Sequence, residues 1–100
     1  MHTSSEIVRM LKSNMNNIVK FHVSKIGLFG SFARGEQNDA SDVDILVEFE
    51  DGHENFDNYM DLKFYLEELF NRKVDVVIFN SIKPSLRPGI MRSVIYAKGA

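Results

Sequence analysis

Cysteine is absent from the 100 residues, which removes disulfide staples, thiolate zinc sites, iron–sulfur ligation and cysteine nucleophiles together. A reducing, cytoplasmic setting is the expectation. Long apolar runs are missing too. The longest mainly apolar stretches are Val43–Val47 and Val74–Phe79, far below the roughly 20 residues that cross a bilayer. The opening Met-His-Thr-Ser-Ser-Glu lacks the basic-then-apolar order of a secretion signal, so no membrane role is expected. Neither sign of charge dominates: 12 Lys and Arg face 14 Asp and Glu, for a net charge of −2. Any chemistry on phosphate must therefore be local rather than a general polyanion coat. The three histidines, His2, His22 and His53, have no spacing that would converge them, and a histidine metal site is not expected. Repeats, low-complexity tracts and linkers are all lacking.

What remains is a composition of 44% hydrophobic residues, sufficient for one globular core and one domain over residues 1–100. Ile7, Met10, Leu11, Met15 and Ile18 recur at spacings of three and four after a Ser-rich start, predicting a helix over 4–20. Val23 to Gly30, Ile45 to Phe49 and Val74 to Phe79 read as strands from their β-branched and aromatic content. A helix over 57–71 carries Leu62, Leu66, Leu69 and Phe70 at helical period, and a last helix is predicted from Ser85 to Lys98, with Pro88 in its first turn and Ile90, Met91, Val94 and Ile95 turned to the core. With a short helix after the first strand, the order is α-β-α-β-α-β-α. That order predicts an α/β fold with a three-stranded sheet.

The chemistry concentrates in residues 30–47. An apolar strand runs into Gly30-Ser31 and a short helical piece, where main-chain N–H groups and the Ser31 hydroxyl can converge on an anion and Gly30 lets phosphate approach closely. Alone, Gly-Ser at a strand end is usually only a turn. Asp42 and Asp44 stand two apart at a strand start, so both carboxylates share a face while Val43, Ile45 and Val47 take the other. Side-by-side carboxylates repel unless a cation or shared proton intervenes, and hard oxygen ligands suit Mg²⁺ or Mn²⁺. The competing reading is an acidic loop before a strand. Asp75 interrupts Val74–Phe79: either it lies on an edge strand, in water or paired with Arg72 or Lys73, or it joins Asp42 and Asp44 as a third ligand. Three such carboxylates could hold two cations about 3.5–4 Å apart, the clamp for in-line displacement at phosphorus.

Gly30-Ser31, ten further residues, Asp42-Val43-Asp44, and a lone Asp75 on the third strand resemble the nucleotidyltransferase superfamily to which DNA polymerase β belongs. More narrowly, Gly-Ser-Phe-Ala-Arg-Gly with Ser-Asp-Val-Asp-Ile-Leu-Val resembles the minimal nucleotidyltransferase (MNT) proteins, often encoded beside a HEPN-domain partner as toxin–antitoxin pairs. The resemblance spans essentially the whole chain. It implies the nucleotidyltransferase fold with a mixed sheet, Gly30 and Ser31 on the triphosphate, and Asp42, Asp44 and Asp75 as catalytic metal-binding residues for two Mg²⁺ ions, with Mn²⁺ as a substitute. It further implies transfer of AMP from ATP to a hydroxyl, with a tyrosine of a HEPN-type toxin as the expected acceptor and the chain acting as antitoxin. Arg34, a helical turn beyond Ser31, could serve a phosphate or a carboxylate equally well. A nucleic-acid or small-molecule acceptor ranks behind a protein, and homo-oligomerisation is left open. A second reading is a non-catalytic, nucleotide-sensing binding module that neutralises its partner by covering it.

Other features have plainer readings. Gly35 ends the short helix, Ser41 orients Asp42 or its loop, and the basic residues Lys83, Arg87, Arg92 and Lys98 complement the dipole of the expected last helix. Phe56, Tyr59 and Phe64 cannot all face one core stripe, which leaves aromatic surface for an interface.

Overall fold

The two longest helices begin where a side chain replaces a hydrogen-bond partner that the first turn lacks. In the computed structural model, which describes residues 2–99, α1 (Ser4–Ser13) starts at Thr3, whose hydroxyl accepts from the Glu6 amide while contacting the Glu6 carboxylate. Thr3 and Glu6 have the spacing of a capping box, with the carboxylate meeting the Thr3 hydroxyl. The helix predicted over 4–20 breaks at Asn14, where the amide side chain donates to the Met10 carbonyl at 2.8 Å. A short α2 (Met15–Ile18) and a 3₁₀ turn over Val19–Phe21 complete the segment. Further on, α4 (Phe56–Phe70) is capped by Asn55, whose side-chain oxygen accepts from Asn58, and it ends at Asn71 in the left-handed conformation.

The strands are β1 (Val23–Phe29), β2 (Val43–Phe49), β3 (Val74–Ile78) and β4 (Ile95–Lys98), in spatial order β3-β2-β1-β4. β1 pairs antiparallel with β2 and with β4, whereas β2 and β3 run parallel and α4 forms the crossover between them. A bulge at Ser24 restores the alternation of β1, so that Val23, Ile26 and Leu28 all lie in the core. Against them and Val43, Ile45, Val47, Val74 and Val76 pack Ile7, Leu11, Ile18, Leu62, Leu66 and Phe70. Each such side chain contributes about 1.5–3 kcal/mol on burial.

The chain's last part corrects the expected three-stranded sheet and long final helix. Helical structure there is limited to a 3₁₀ turn at Pro84–Leu86 and α5 (Arg87–Met91), after which β4 adds a fourth strand. Met91 and Ile95 are 37% and 38% exposed and neither Ile90 nor Val94 is buried, so this segment does not turn four residues to the core. The cause lies on β1. Gly27 has no side chain, and a Cβ there would come within 3.0 Å of the Ile95 carbonyl oxygen and 2.9 Å of Val94 Cγ1. The gap suits the β-branched Val94-Ile95, and it carries no signal at residues 85–98 themselves. Among the described residues, no helix is long and apolar enough to cross a membrane.

Candidate active site

Pairing register brings the acidic residues to one end of one sheet face. Asp44 lies opposite Phe29 across the antiparallel pair and opposite Asp75 across the parallel pair. Asp42 immediately precedes β2 and, by alternation, presents its carboxylate on the Asp44 side. The other face of β2 carries Val43, Ile45 and Val47, each no more than 1% exposed. Alternation thus gives this strand a core face and a second face on which Asp44 and Glu48 flank the buried Leu46. Asp75 is exposed on an edge strand, which explains how a carboxylate is tolerated in an apolar run.

Gly30 completes the corner. It opens α3 (Gly30–Arg34) with φ of 74°, in the left-handed region, and a Cβ built on it would overlap the Asp44 carboxylate, 2.9 Å from Cγ and 3.1 Å from Cβ. Glycine is therefore needed for its backbone angle and for the space it leaves. Phe32, fully buried, anchors α3 in the core. Gly35, at φ 71°, closes α3 as a left-handed C-cap, with its amide donating to Phe32, as its sequence position predicted.

The loop to Asp42 is tightly tied. Asn38 accepts from the Ala40 amide on its side chain and donates its own amide to the Ser41 hydroxyl at 3.0 Å, so Ser41 holds the loop. Arg72, for which the sequence offered Asp75 as a partner, turns elsewhere. Its Nη1 donates to the carbonyls of Asp39 at 3.1 Å and Ser41 at 2.9 Å, and its guanidinium sits 5.3 Å from the Phe32 ring centre. The adjacent Val43 amide donates to the Lys73 carbonyl. One cation thereby fastens α3, the Asp42 loop and the entry to β3. Sequence reasoning missed this role because the partners are main-chain oxygens, which leave no complementary residue to find.

Electrostatics single out Asp44. Burial, then the negative charges of Asp75 and Asp42, push its carboxyl up to about 6, while Arg34 pulls the other way. Arg34 itself bonds Glu36, Nε to Oε1 at 2.6 Å. The three aspartates fit a hard divalent cation: the donors are all oxygen, and the repulsion raising Asp44 is what a cation would cancel. Among the described residues no three acidic or histidine side chains close into a metal cage. An Mg²⁺ ion that keeps its waters and takes substrate phosphates as ligands does not need one.

The histidines depart from expectation. His22 and His53 stack with ring centres 3.8 Å apart and planes within 9°, and His22 Nδ1 lies 3.6 Å from Glu50. The link is main-chain: Glu50 donates its amide to His22, and His53 donates its amide to Glu50. The stack leaves the histidines unconnected to the three aspartates.

Comparison with known proteins places this geometry. The model of the nucleotidyltransferase domain matches residues 8–97. A candidate protein adenylyltransferase from Methanocaldococcus jannaschii is 41% identical over 99 residues, covering 96% of this chain and 99% of its own length. Protein adenylyltransferase MntA of Thermococcus cleftensis is 38% identical over 97 residues, covering 96% and 97%. The solved structure of a candidate minimal nucleotidyltransferase superposes with a TM-score of 0.78 at 33% identity, covering 94% of this chain and 96% of that one. The fold alone is shared with a complex of a tri-AMPylated Shewanella oneidensis HEPN toxin and an MNT antitoxin, at 19% identity, a TM-score of 0.65 and coverage of 93% and 73%.

Proposed function

The chain belongs to the nucleotidyltransferase domain family, as a minimal nucleotidyltransferase, and we propose that it transfers AMP from ATP to a tyrosine hydroxyl of a HEPN-type toxin, acting as its antitoxin. The pairing of Asp44 with Asp75 beside a glycine whose missing side chain leaves room for the Asp44 carboxylate carries the reading. Support for the protein acceptor comes from the relatives named as adenylyltransferases and from the AMPylated toxin held by a protein of this fold.

In this reading the α3 amides after Gly30 and the Ser31 hydroxyl hold the triphosphate, since main-chain N–H groups at a helix start favour phosphate oxygens. Asp42 and Asp44 would hold divalent cations, with Asp75 completing the set. Bound there, the cations would supply charge neutralisation at the phosphates and at the reacting oxygens. The acceptor oxygen forms a bond to the α-phosphorus, the bond from that phosphorus to the bridging oxygen breaks, and pyrophosphate leaves with that electron pair. Asp75, exposed at the sheet edge, would take the hydroxyl proton. Arg34, already in the field of Asp44, can exchange Glu36 for a phosphate oxygen.

The test is label transfer from α-phosphate-labelled ATP, with Mg²⁺, to a purified HEPN-type toxin encoded next to this chain. Wild type should label the toxin, and Asp44→Asn should not while keeping its fold by circular dichroism. Equal labelling by both would sink the mechanism. Loss of labelling with toxin neutralisation intact would favour the binding-module reading.

A further inference from the structure

The longest helix carries an apolar ridge that the core does not use. On α4, Phe56 and Phe64 are 74% and 57% exposed, with Met60 half-buried between them. The four-residue spacing puts the three on one side of the helix, away from Leu62, Leu66 and Phe70 in the core. Next to Phe56 opens a cavity of about 330 Å³, lined also by Glu54, Asn55, Tyr59 and Ile78. Exposed aromatics beside a pocket are the composition of interface anchors.

The surrounding charge decides what fits. Asp57, Asp61 and Glu68 are exposed along this helix, and among the described residues none of them is in an ion pair. The only basic residue on α4, Lys63, is engaged with Glu67 and with the Val74 carbonyl. A two-fold contact between copies through this ridge would set the acidic residues against one another, which disfavours self-association here. A ridge of side chains four apart is also the feature that seats in the groove of another helix.

We propose that the outer face of α4 is a docking surface for a helix of a partner protein that presents an apolar stripe flanked by Lys and Arg. The core side of α4 packs on the sheet face opposite Asp44, so a docked helix leaves the aspartates open, and binding at α4 is separate from transfer.

The probe is a fluorescein-labelled 18-residue peptide designed as an amphipathic helix of Leu with flanking Lys, titrated with the full chain by anisotropy at low salt; its counterpart replaces every Lys by Glu. The Leu/Lys peptide should bind at least tenfold tighter than the Leu/Glu peptide. Phe56→Ser and Phe64→Ser, both at exposed positions and checked for an unchanged Tm, should each weaken it about tenfold, in the range of anchor residues. The double change Asp57→Asn, Asp61→Asn should weaken it a further few fold and flatten its salt dependence. Equal binding of the two peptides, no binding of either, or full affinity in Phe64→Ser overturns the proposal. So does sedimentation of the wild-type chain as a dimer that Phe64→Ser dissociates, which would assign the ridge to a second copy. No nucleotide enters the measurement, so its failure is distinct from a failure of the transferase reading.

Discussion

Asp44 and Asp75 are direct partners across the parallel pairing of β2 and β3, two carboxylates on adjacent strands with no side chain between them. Together with burial and Asp42, this pairing raises Asp44 from 3.8 to about 6. A carboxyl raised in the folded state favours folding fully while protonated in both states, below about pH 4, and that contribution is lost as pH rises through 6. Without divalent cations, wild-type stability should therefore fall between pH 4 and 6. Asp44→Asn should match wild type near pH 4 and exceed it at pH 7 by about 1 kcal/mol, a value reduced for solvent screening of a half-exposed group. Thermal melts across that range check it; a Tm difference independent of pH would refute it.

Among the described residues, Arg34 is the charge that lowers the Asp44 carboxyl. Replacing Arg34 by Ala should push the Asp44 carboxyl above 6, and Glu36→Ala, which frees the guanidinium from its 2.6 Å bond, should leave it no higher than in wild type. Carboxyl-carbon NMR titration of both variants reads these directions.

Gly30→Ala meets two obstacles, the positive φ and the Asp44 carboxylate. The strained backbone alone costs about 1–3 kcal/mol. Because Asp44 must also move, transfer should drop by about 100-fold, the scale of an ångström-level misplacement. A melt and a transfer assay on the same sample separate the two effects, and near-normal transfer would show that the Gly30–Asp44 contact is not needed.

Arg72→Lys keeps the charge yet cannot bridge two carbonyls while lying over Phe32. Loss of these bonds should cost about 1–2 kcal/mol and speed amide exchange at Ser41 and Val43, which border Asp42. If exchange is unchanged there, Arg72 does not hold the loop.

The acidic site was legible because strand periodicity is simple: period two puts Asp42 and Asp44 on one side, and Val43, Ile45 and Val47 mark the other as core. Asp75 showed as a charge inside an apolar run. Local signals also set the limits. β4 is four residues long, and its place depends on Gly27, some 70 residues away in the chain, so the segment after Ser85 read as helix from its Pro88 and its apolar spacing. Arg72 binds main-chain oxygens that every residue possesses, and His22 meets His53 through the backbone of Glu50. Tertiary contacts of this kind have no signature in the order of side chains.

The parallel pairing of β2 with β3 also has a kinetic meaning. Parallel strands cannot be joined by a tight turn, so Asp75 reaches Asp44 only after α4 has crossed the sheet and docked, a long loop closure that comes late and slowly in folding. A chain with β1, α3 and β2 formed already has Gly30, Ser31, Asp42 and Asp44 in place but lacks the third carboxylate. On the proposed roles of these residues, undocking of α4 would abolish transfer while Gly30, Ser31, Asp42 and Asp44 keep their places.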